Sequence, residues 1–144
     1  MPLKIMSDQD SMTVEEFYAD LAKGKYNSLD IEKGNMMLRL IEAINQLFPQ
    51  TTLWCLTSHD RLCLIADDDW ESDMFLGIEA SYSKQYYFYY FMPKDNRPWD
   101  GASVHGIASS LEEAKKYLLI AMRESGGWST NEELKKLLKE NLDS

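Results

Sequence analysis

Apolar and polar positions along the chain predict four helices and four or five strands, and the clearest pattern belongs to an aromatic strand. Residues 85–92 read QYYFYYFM, with six aromatic residues in succession. The run has no helical period, and aromatic side chains fit a pleated, half-buried surface, so it predicts a β-strand deep in a sheet. Alternation places its even-numbered residues on one face and its odd-numbered residues on the other. Both faces are therefore aromatic, and each needs a cover.

Two helices are predicted before this strand. Thr13 and Glu16 form a capping box, in which each side chain accepts a hydrogen bond from the other residue's amide, and Gly24 ends the short helix that follows. From Ile31 the apolar residues recur at helical spacing until Pro49 stops the pattern. This second segment is predicted to be a long amphipathic helix.

Short strands surround the aromatic one. Residues 53–56 and 62–65 are apolar and flank a turn-prone sequence at 58–60, which predicts a tight hairpin. Residues 75–80 predict a further strand that leads into the aromatic strand. Residues 103–107 predict a short fifth strand, whose small side chains indicate a sheet edge or a close approach to another backbone. Strands joined by short turns are antiparallel, so a meander is expected.

Two more capping boxes follow the strands. Ser110 with Glu113 begins a third helix, which the glycine at Gly126 ends, and Thr130 with Glu133 begins a fourth. Each helix carries an apolar stripe at helical spacing.

This segregated order of elements predicts an α+β fold. We expect a four- to five-stranded, mainly antiparallel meander sheet, with two helices before it and two after it packed mostly on one face. Residues 1–144 are expected to form a single domain, with residues 1–11 as a frayed N-terminal tail. A sheet covered on one face leaves the opposite face in need of a partner.

Charge narrows the choice of partner. The chain of 144 residues has a net charge of −9, which repels nucleic acid and anionic lipid and favours a basic protein partner. Acidity that serves solubility alone is the alternative interpretation. No apolar run approaches the length that spans a bilayer, so no membrane partner is expected. Only two cysteines occur and no signal segment opens the chain, so we expect a reducing, cytoplasmic location.

Common catalytic and cofactor motifs do not occur in the sequence. It has no glycine-rich phosphate loop, no zinc-ligand spacing and no nucleophile elbow, so we expect neither an enzyme, nor a cofactor, nor a metal site. Cys55 and Cys63 would face each other across the hairpin only if its loop had three residues, since a two-residue loop breaks that register. Both are expected to be small buried hydrophobic residues.

An acidic segment, residues 67–73, is the first candidate for binding. A calcium loop is excluded, because position six is not glycine and position twelve is Ile78. A solvated turn and an electronegative docking patch with a central tryptophan remain as interpretations. A second tryptophan, Trp99 on the loop at 97–101, is interpreted either as a preorganised contact for a partner or as a lid folded back on the end of the sheet. The candidate partner-binding residues are Asp67, Asp68, Asp69, Trp70, Glu71, Asp73 and Trp99.

Three functional hypotheses follow. In general character the chain is similar to bacterial immunity and inhibitor proteins, which are small, acidic and non-catalytic and neutralise a basic toxin or nuclease; this analogy makes occlusion of a basic protein partner the leading hypothesis. The second is a homodimer that buries the other face of the aromatic strand against its own copy. The third is a small-ligand binder or an unfamiliar enzyme with a pocket lined by Tyr86, Tyr90, Trp99 and His105.

Overall fold

A six-stranded sheet with four helices forms the described part of the chain, which comprises residues 3–5, 12–66 and 75–142 of a computed structural model. The helices are α1 (Val14–Leu21), α2 (Asp30–Leu47), α3 (Leu111–Ser125) and α4 (Glu132–Asn141). The strands, in their spatial order across the sheet, are β1 (Leu3–Ile5), β2 (Leu53–Ser58), β3 (Arg61–Ile65), β4 (Phe75–Ala80), β5 (Tyr86–Phe91) and β6 (Ser103–Ala108).

The predicted α+β class is confirmed. Strands β2 to β6 form an antiparallel meander in sequence order, with α1 and α2 before it and α3 and α4 after it. One prediction about the tail is wrong, because Leu3–Ile5 forms β1 and pairs parallel to β2. Three residues within a polar segment carry too little pattern to predict a strand. Strand β1 is specified instead by its pairing with β2. The other residues of the predicted tail, 1–2 and 6–11, lie outside the described residues.

Three helices, α1, α3 and α4, begin at a residue whose side chain caps them, and one of these caps is shifted from its predicted position. Thr13 caps α1 through reciprocal hydrogen bonds with Glu16, of 3.1 and 3.2 Å. Ser110 Oγ accepts from the amide of Glu113 at the start of α3. The predicted cap of α4, Thr130, is wrong by one residue: Asn131 is the cap, and its Oδ1 accepts from the amide of Leu134 at 2.7 Å.

Glu133 is free of the predicted capping box because of that shift. Its carboxylate accepts hydrogen bonds from the amide of Gln50, at 3.1 Å, and from the hydroxyl of Thr51, at 2.7 Å. Asn131 Nδ2 also donates to Thr51 Oγ1. The start of α4 is therefore tied to the connection between α2 and β2.

The β2–β3 hairpin has a two-residue turn, in which His59 takes a positive φ of 58°. The register pairs Ser58 with Arg61 and therefore Leu56 with Cys63 and Cys55 with Leu64. Cys55 and Cys63 thus lie on opposite faces of the sheet. Both are buried free thiols, as expected of small hydrophobic residues.

The main core lies between the helices and one face of the sheet. Its largest fully buried side chains include Leu40 and Ile44 of α2 and Leu64, Leu76 and Ile78 of the sheet. Burial of each such side chain contributes roughly 1.5–3 kcal/mol. The hydroxyl of Tyr86 donates to the carbonyl of Met36 in α2 at 2.9 Å, and the ring of Phe88 meets that of Tyr117 in α3 edge-on. These contacts show that α2 and α3 cover the face of even-numbered residues in β5.

Candidate functional site

The opposite side of the sheet, which we call the open face, carries the alternate side chains of β2 to β6. None of these side chains belongs to the core cluster beneath the helices. Strand pairing arranges them in three rows across the sheet. The open face comprises Trp54, Leu56, Ser58, Arg61, Cys63, Ile65, Phe75, Gly77, Glu79, Tyr87, Tyr89, Phe91, Ser103, His105 and Ile107.

Tyr89 occupies the middle of the open face. Its ring lies over Gly77 on β4, where a Cβ atom would be 2.7 Å from the phenol oxygen. Arg61 Nη1 donates to the Tyr89 hydroxyl at 3.1 Å, and the His105 ring stacks on the Tyr89 ring at 5.9 Å between centroids with an interplanar angle of 21°. Strands β3, β4 and β6 therefore each contribute one group that positions this ring, which β5 carries.

A cluster of edge-to-face aromatic rings continues beside Tyr89. The Phe75 ring meets Tyr89 at 6.1 Å and Phe91 at 5.2 Å, with interplanar angles of 89° in both pairs. The guanidinium of Arg97 lies 5.5 Å from the centroid of Phe91, and its Nε donates to the carbonyl of Met92. Edge-to-face pairs contribute about 0.5–1.5 kcal/mol beyond their burial. These contacts hold the rings in one arrangement and leave them half-buried.

The open face is shaped rather than flat. A groove of about 210 Å³ lies along it, between Leu56, Cys63, Ile65, Phe75 and Tyr89. Burial raises the pKa of the Tyr89 phenol, and the neighbouring Cys63 raises it further. Burial also raises the pKa of the Cys63 thiol, although Tyr89 and Arg61 oppose that effect. Both groups are neutral at pH 7, so the groove presents apolar bodies with weak polar tips and one charged side chain, Arg61, at its border.

Exposure of the open face is graded. Tyr87 is 38% exposed and Ile107 is 50% exposed, whereas Cys63 and Ile65 are buried among their neighbours. Aromatic and aliphatic side chains thus reach the surface together with Arg61 and His105. Protein interfaces are enriched in tyrosine, tryptophan, phenylalanine and arginine.

The sequence-predicted site residues have separate outcomes. Asp67, Asp68, Asp69, Trp70, Glu71 and Asp73 lie outside the described residues. Ile65 and Phe75, which flank that segment, are paired neighbours on the open face. The described chain therefore leaves the sheet after Ile65 and rejoins it at Phe75, and both of these residues lie on the open face.

Trp99 lies on the loop before β6 and is 71% exposed. It borders a recess with Lys94, Arg97 and Asp100. This position leaves the indole ring accessible to a partner, whereas a ring folded back onto the sheet would be buried.

The four residues proposed to line a small-ligand pocket are not brought together around one cavity. Tyr86 is buried and bonded to α2. Tyr90 and His105 border a groove between β6 and α3, and Trp99 borders the separate recess described above.

Sequence reasoning placed Tyr87 and Tyr89 on a second aromatic face without naming them as site residues, and it missed Arg61 and Phe75. The signal was present, since both alternate sets of residues in β2, β3 and β4 are largely apolar. A strand that is apolar on both sides needs two covers. Only the order in which the strands pair shows that the apolar residues facing away from the helices join into one surface.

In residues 12–66 and 75–142, no group of three histidine, cysteine or acidic side chains is placed to hold a metal ion. Burial raises the pKa of Cys55 to about 12, which keeps the thiol protonated and poorly nucleophilic. Among the helices of the described segments, none is both long and apolar enough to cross a bilayer. Comparisons with protein-family models, curated proteins and solved structures found no significant match.

Proposed function

We propose that this protein is a non-catalytic protein-binding module whose open face takes a basic protein partner. The observation that carries the proposal is the aromatic surface around Phe75, Tyr87, Tyr89 and Phe91, which no described helix covers. Tyr87 and Ile107 are exposed on this face, and Phe75, Tyr89 and Phe91 are half-buried beside them. Contiguous apolar surface that reaches solvent marks interaction sites in proteins. Its rings are already ordered by mutual contacts and by Arg61, so binding orders few side chains and costs little entropy.

Charge supports a cationic partner. The acidic segment 67–73 holds five carboxylates and is attached at both ends to strands that border the open face. The net charge of −9 adds a longer-range field of the same sign. Such a field accelerates the encounter with a positively charged protein, and the aromatic surface then supplies the buried contact. Trp99 extends this surface as an exposed ring on the neighbouring loop.

Occlusion is the mode of action that this arrangement supports best. A rigid, grooved sheet face of this kind can cover a functional site on a partner without acting on it chemically. The protein would then act as immunity and inhibitor proteins do, by neutralising a basic toxin or enzyme through surface contact.

Affinity capture with paired tyrosine variants tests the proposal. Tyr87 is on the open face, and Tyr26, 88% exposed, is in the connection between α1 and α2. We expect Tyr87→Lys to weaken binding of the captured partner at least tenfold, roughly the effect of an interface residue of moderate weight. Tyr26→Lys adds the same charge elsewhere and should leave binding unchanged.

The captured protein itself provides the second part of this test. It should be basic, and its binding should weaken as salt rises from about 0.05 to 0.5 M, since exposed charges are screened over that range. An acidic partner, salt-independent binding or equal effects of the two lysine variants would each refute the proposal.

A further inference from the structure

Strand β6 forms a free edge of the sheet that has none of the usual protection. Its sequence, SVHGIA, contains no charged residue and no proline, and four of its six residues are exposed. Natural sheets protect their edges with short strands, charges, proline or bulges. The opposite edge follows this rule, since β1 is three residues long. In the described part of the chain no strand pairs with the outer side of β6.

The hydrogen-bond pattern identifies which residues of β6 point outward. Met92 donates its amide proton to the carbonyl of Ala102, its direct neighbour in the β5–β6 register. Bonded and non-bonded pairs alternate in antiparallel strands. The even-numbered residues of β6 therefore bond β5, whereas Ser103, His105 and Ile107 direct their amides and carbonyls away from the sheet.

We propose that a second copy of this chain pairs antiparallel with β6 about a twofold axis at His105. In this register Ser103 lies opposite Ile107 of the second copy, and His105 lies opposite its own equivalent. Ser103, His105 and Ile107 all direct their backbone amide and carbonyl outward. Each facing pair can therefore exchange both of its hydrogen bonds across the contact. Two sheets would become one continuous sheet, in an isologous contact that closes as a dimer.

Side chains on the helix-facing side of β6 fit the same register. Val104, 39% exposed, comes to lie opposite Gly106 of the second copy. A Cβ at Gly106 would meet nothing nearer than the Tyr117 ring at 3.5 Å. A groove of about 260 Å³ opens there, bordered by Tyr90, Tyr117 and Ile120. The valine of the second copy would fill part of this apolar groove.

Charge at the edge permits the contact despite the net repulsion between two chains of charge −9. Apart from His105, residues 101–111 contain no ionisable side chain. The nearest carboxylate before β6, that of Asp100, faces Ser110 of the second copy in the proposed register. No acidic residue then lies opposite another along the paired strands. The open faces of both copies adjoin in the joined sheet, so a dimer would present two binding surfaces side by side.

Cysteine cross-linking tests the register. The twofold axis places the two copies of residue 105 within the Cα separation of about 4.4–6.8 Å that a disulfide allows. We expect oxidised His105→Cys protein to form a covalent dimer. Ser103→Cys protein should remain uncross-linked, because its two copies lie roughly 14 Å apart at about 3.4 Å per residue. A mixture of Ser103→Cys and Ile107→Cys proteins should cross-link as a heterodimer.

The wild-type chain is the background control, since Cys55 and Cys63 are buried. Cross-linking of Ser103→Cys protein alone, or none with His105→Cys, would overturn the register.

Sedimentation velocity between roughly 1 and 100 μM tests the association itself. Ile107→Pro removes an outward amide donor but no bond to β5, whereas Ile107→Thr keeps both the amide and β-branching. We expect wild type and Ile107→Thr to associate as concentration rises, and Ile107→Pro to stay monomeric with an unchanged far-ultraviolet spectrum. If Ile107→Pro does not fold, the cross-linking result decides.

A wild-type chain that stays monomeric throughout would overturn the proposal. Protection of the β6 amides only when a different protein is added would also overturn it, and would assign the edge to a strand from that protein. Either result leaves the proposed binding role of the open face standing, because Tyr87 presents its side chain on that face from β5, one strand in from the edge.

Discussion

The ring of Tyr89 lies directly on the backbone of Gly77 in the neighbouring strand, in the space that any Cβ at position 77 would occupy. Glycine in a strand interior usually weakens the strand, and a ring from the next strand compensates by covering the exposed backbone. This single contact orders the centre of the open face, because Arg61 and His105 are arranged around the same ring.

Replacing Gly77 by alanine should displace that ring. The end of the Tyr89 side chain can swing away, so we expect a loss of only about 1 kcal/mol in the free energy of unfolding. The displaced phenol would be more hydrated, and its raised pKa should fall back toward 10, the ordinary value for tyrosine. Titration of the tyrosine Cζ resonances by NMR measures this change. Gly106→Ala, which has room for the methyl group, is the control and should leave the Tyr89 pKa unchanged.

The buried lysine of α2 should depend on the hairpin turn. Lys33 Nζ is 3.4 Å from the Asp60 carboxylate and 4.7 Å from the centroid of the Tyr82 ring, and its side chain is only 9% exposed. Asp60→Asn removes the balancing charge. We expect a loss of about 1–2 kcal/mol, moderated because the Asp60 side chain is partly exposed.

Urea denaturation measures the loss of unfolding free energy caused by Asp60→Asn. A protein that lacks the Lys33 ammonium provides the control. In a Lys33→Met protein the same Asp60→Asn change should cost less than about 0.5 kcal/mol. Equal losses of unfolding free energy in both backgrounds would show that Asp60 stabilises the turn itself and not the ion pair with Lys33.

Alkaline pH should destabilise the fold through Cys55. Burial raises the pKa of this thiol from 9.0 to about 12. The unfolded chain therefore loses the proton first as pH rises, so the free energy of unfolding falls between pH 9 and pH 12. One such group contributes a slope of about 1.4 kcal/mol per pH unit.

Cys55→Ala should remove that slope. Burial also raises the pKa of the Tyr18 phenol, so both proteins should lose further stability above about pH 10. We expect the alanine protein to lose about 1.4 kcal/mol less per pH unit between about pH 9.5 and 11. Denaturant titrations at several pH values measure this difference in slope. The stability lost with the sulfur atom is the same at every pH, so it does not change the slope. Parallel curves for the two proteins would refute the role of Cys55.

The start of α4 distinguishes two adjacent capping residues. Asn131 accepts the hydrogen bond from the Leu134 amide and donates another to Thr51. Asn131→Ala should therefore cost about 1–2 kcal/mol. Thr130→Ala should change the free energy of unfolding by less than about 0.5 kcal/mol, and the reverse order of the two losses would place the cap at Thr130.

The elements that the sequence predicted best are those with a strong local signal. The aromatic strand β5 and the caps at Thr13 and Ser110 are determined by neighbours along the chain. At α4 both Thr130 and Asn131 are good caps, and packing against Thr51 decides between them. The parallel strand β1 depends on contacts with β2, fifty residues away in sequence.

The candidate surface was predictable only in part. Alternation in β5 indicated a second aromatic face, but not which neighbours join it. The two-residue turn at His59 places Cys63 on that face, whereas a three-residue turn would have reversed its orientation relative to Cys55. A one-residue change of register moves every side chain of a strand to the other face, so the open face follows from long-range pairing.

Site-specific photo-cross-linking tests the central claim most directly. A benzophenone amino acid in place of Tyr87 would sit on the open face, and the same residue in place of Tyr26 would sit in the connection between α1 and α2. We predict that, in the native cell extract, only the protein labelled at position 87 forms a covalent adduct with a basic protein partner. An adduct at position 26 with none at position 87 would contradict the account, because the partner would then bind away from the aromatic sheet face.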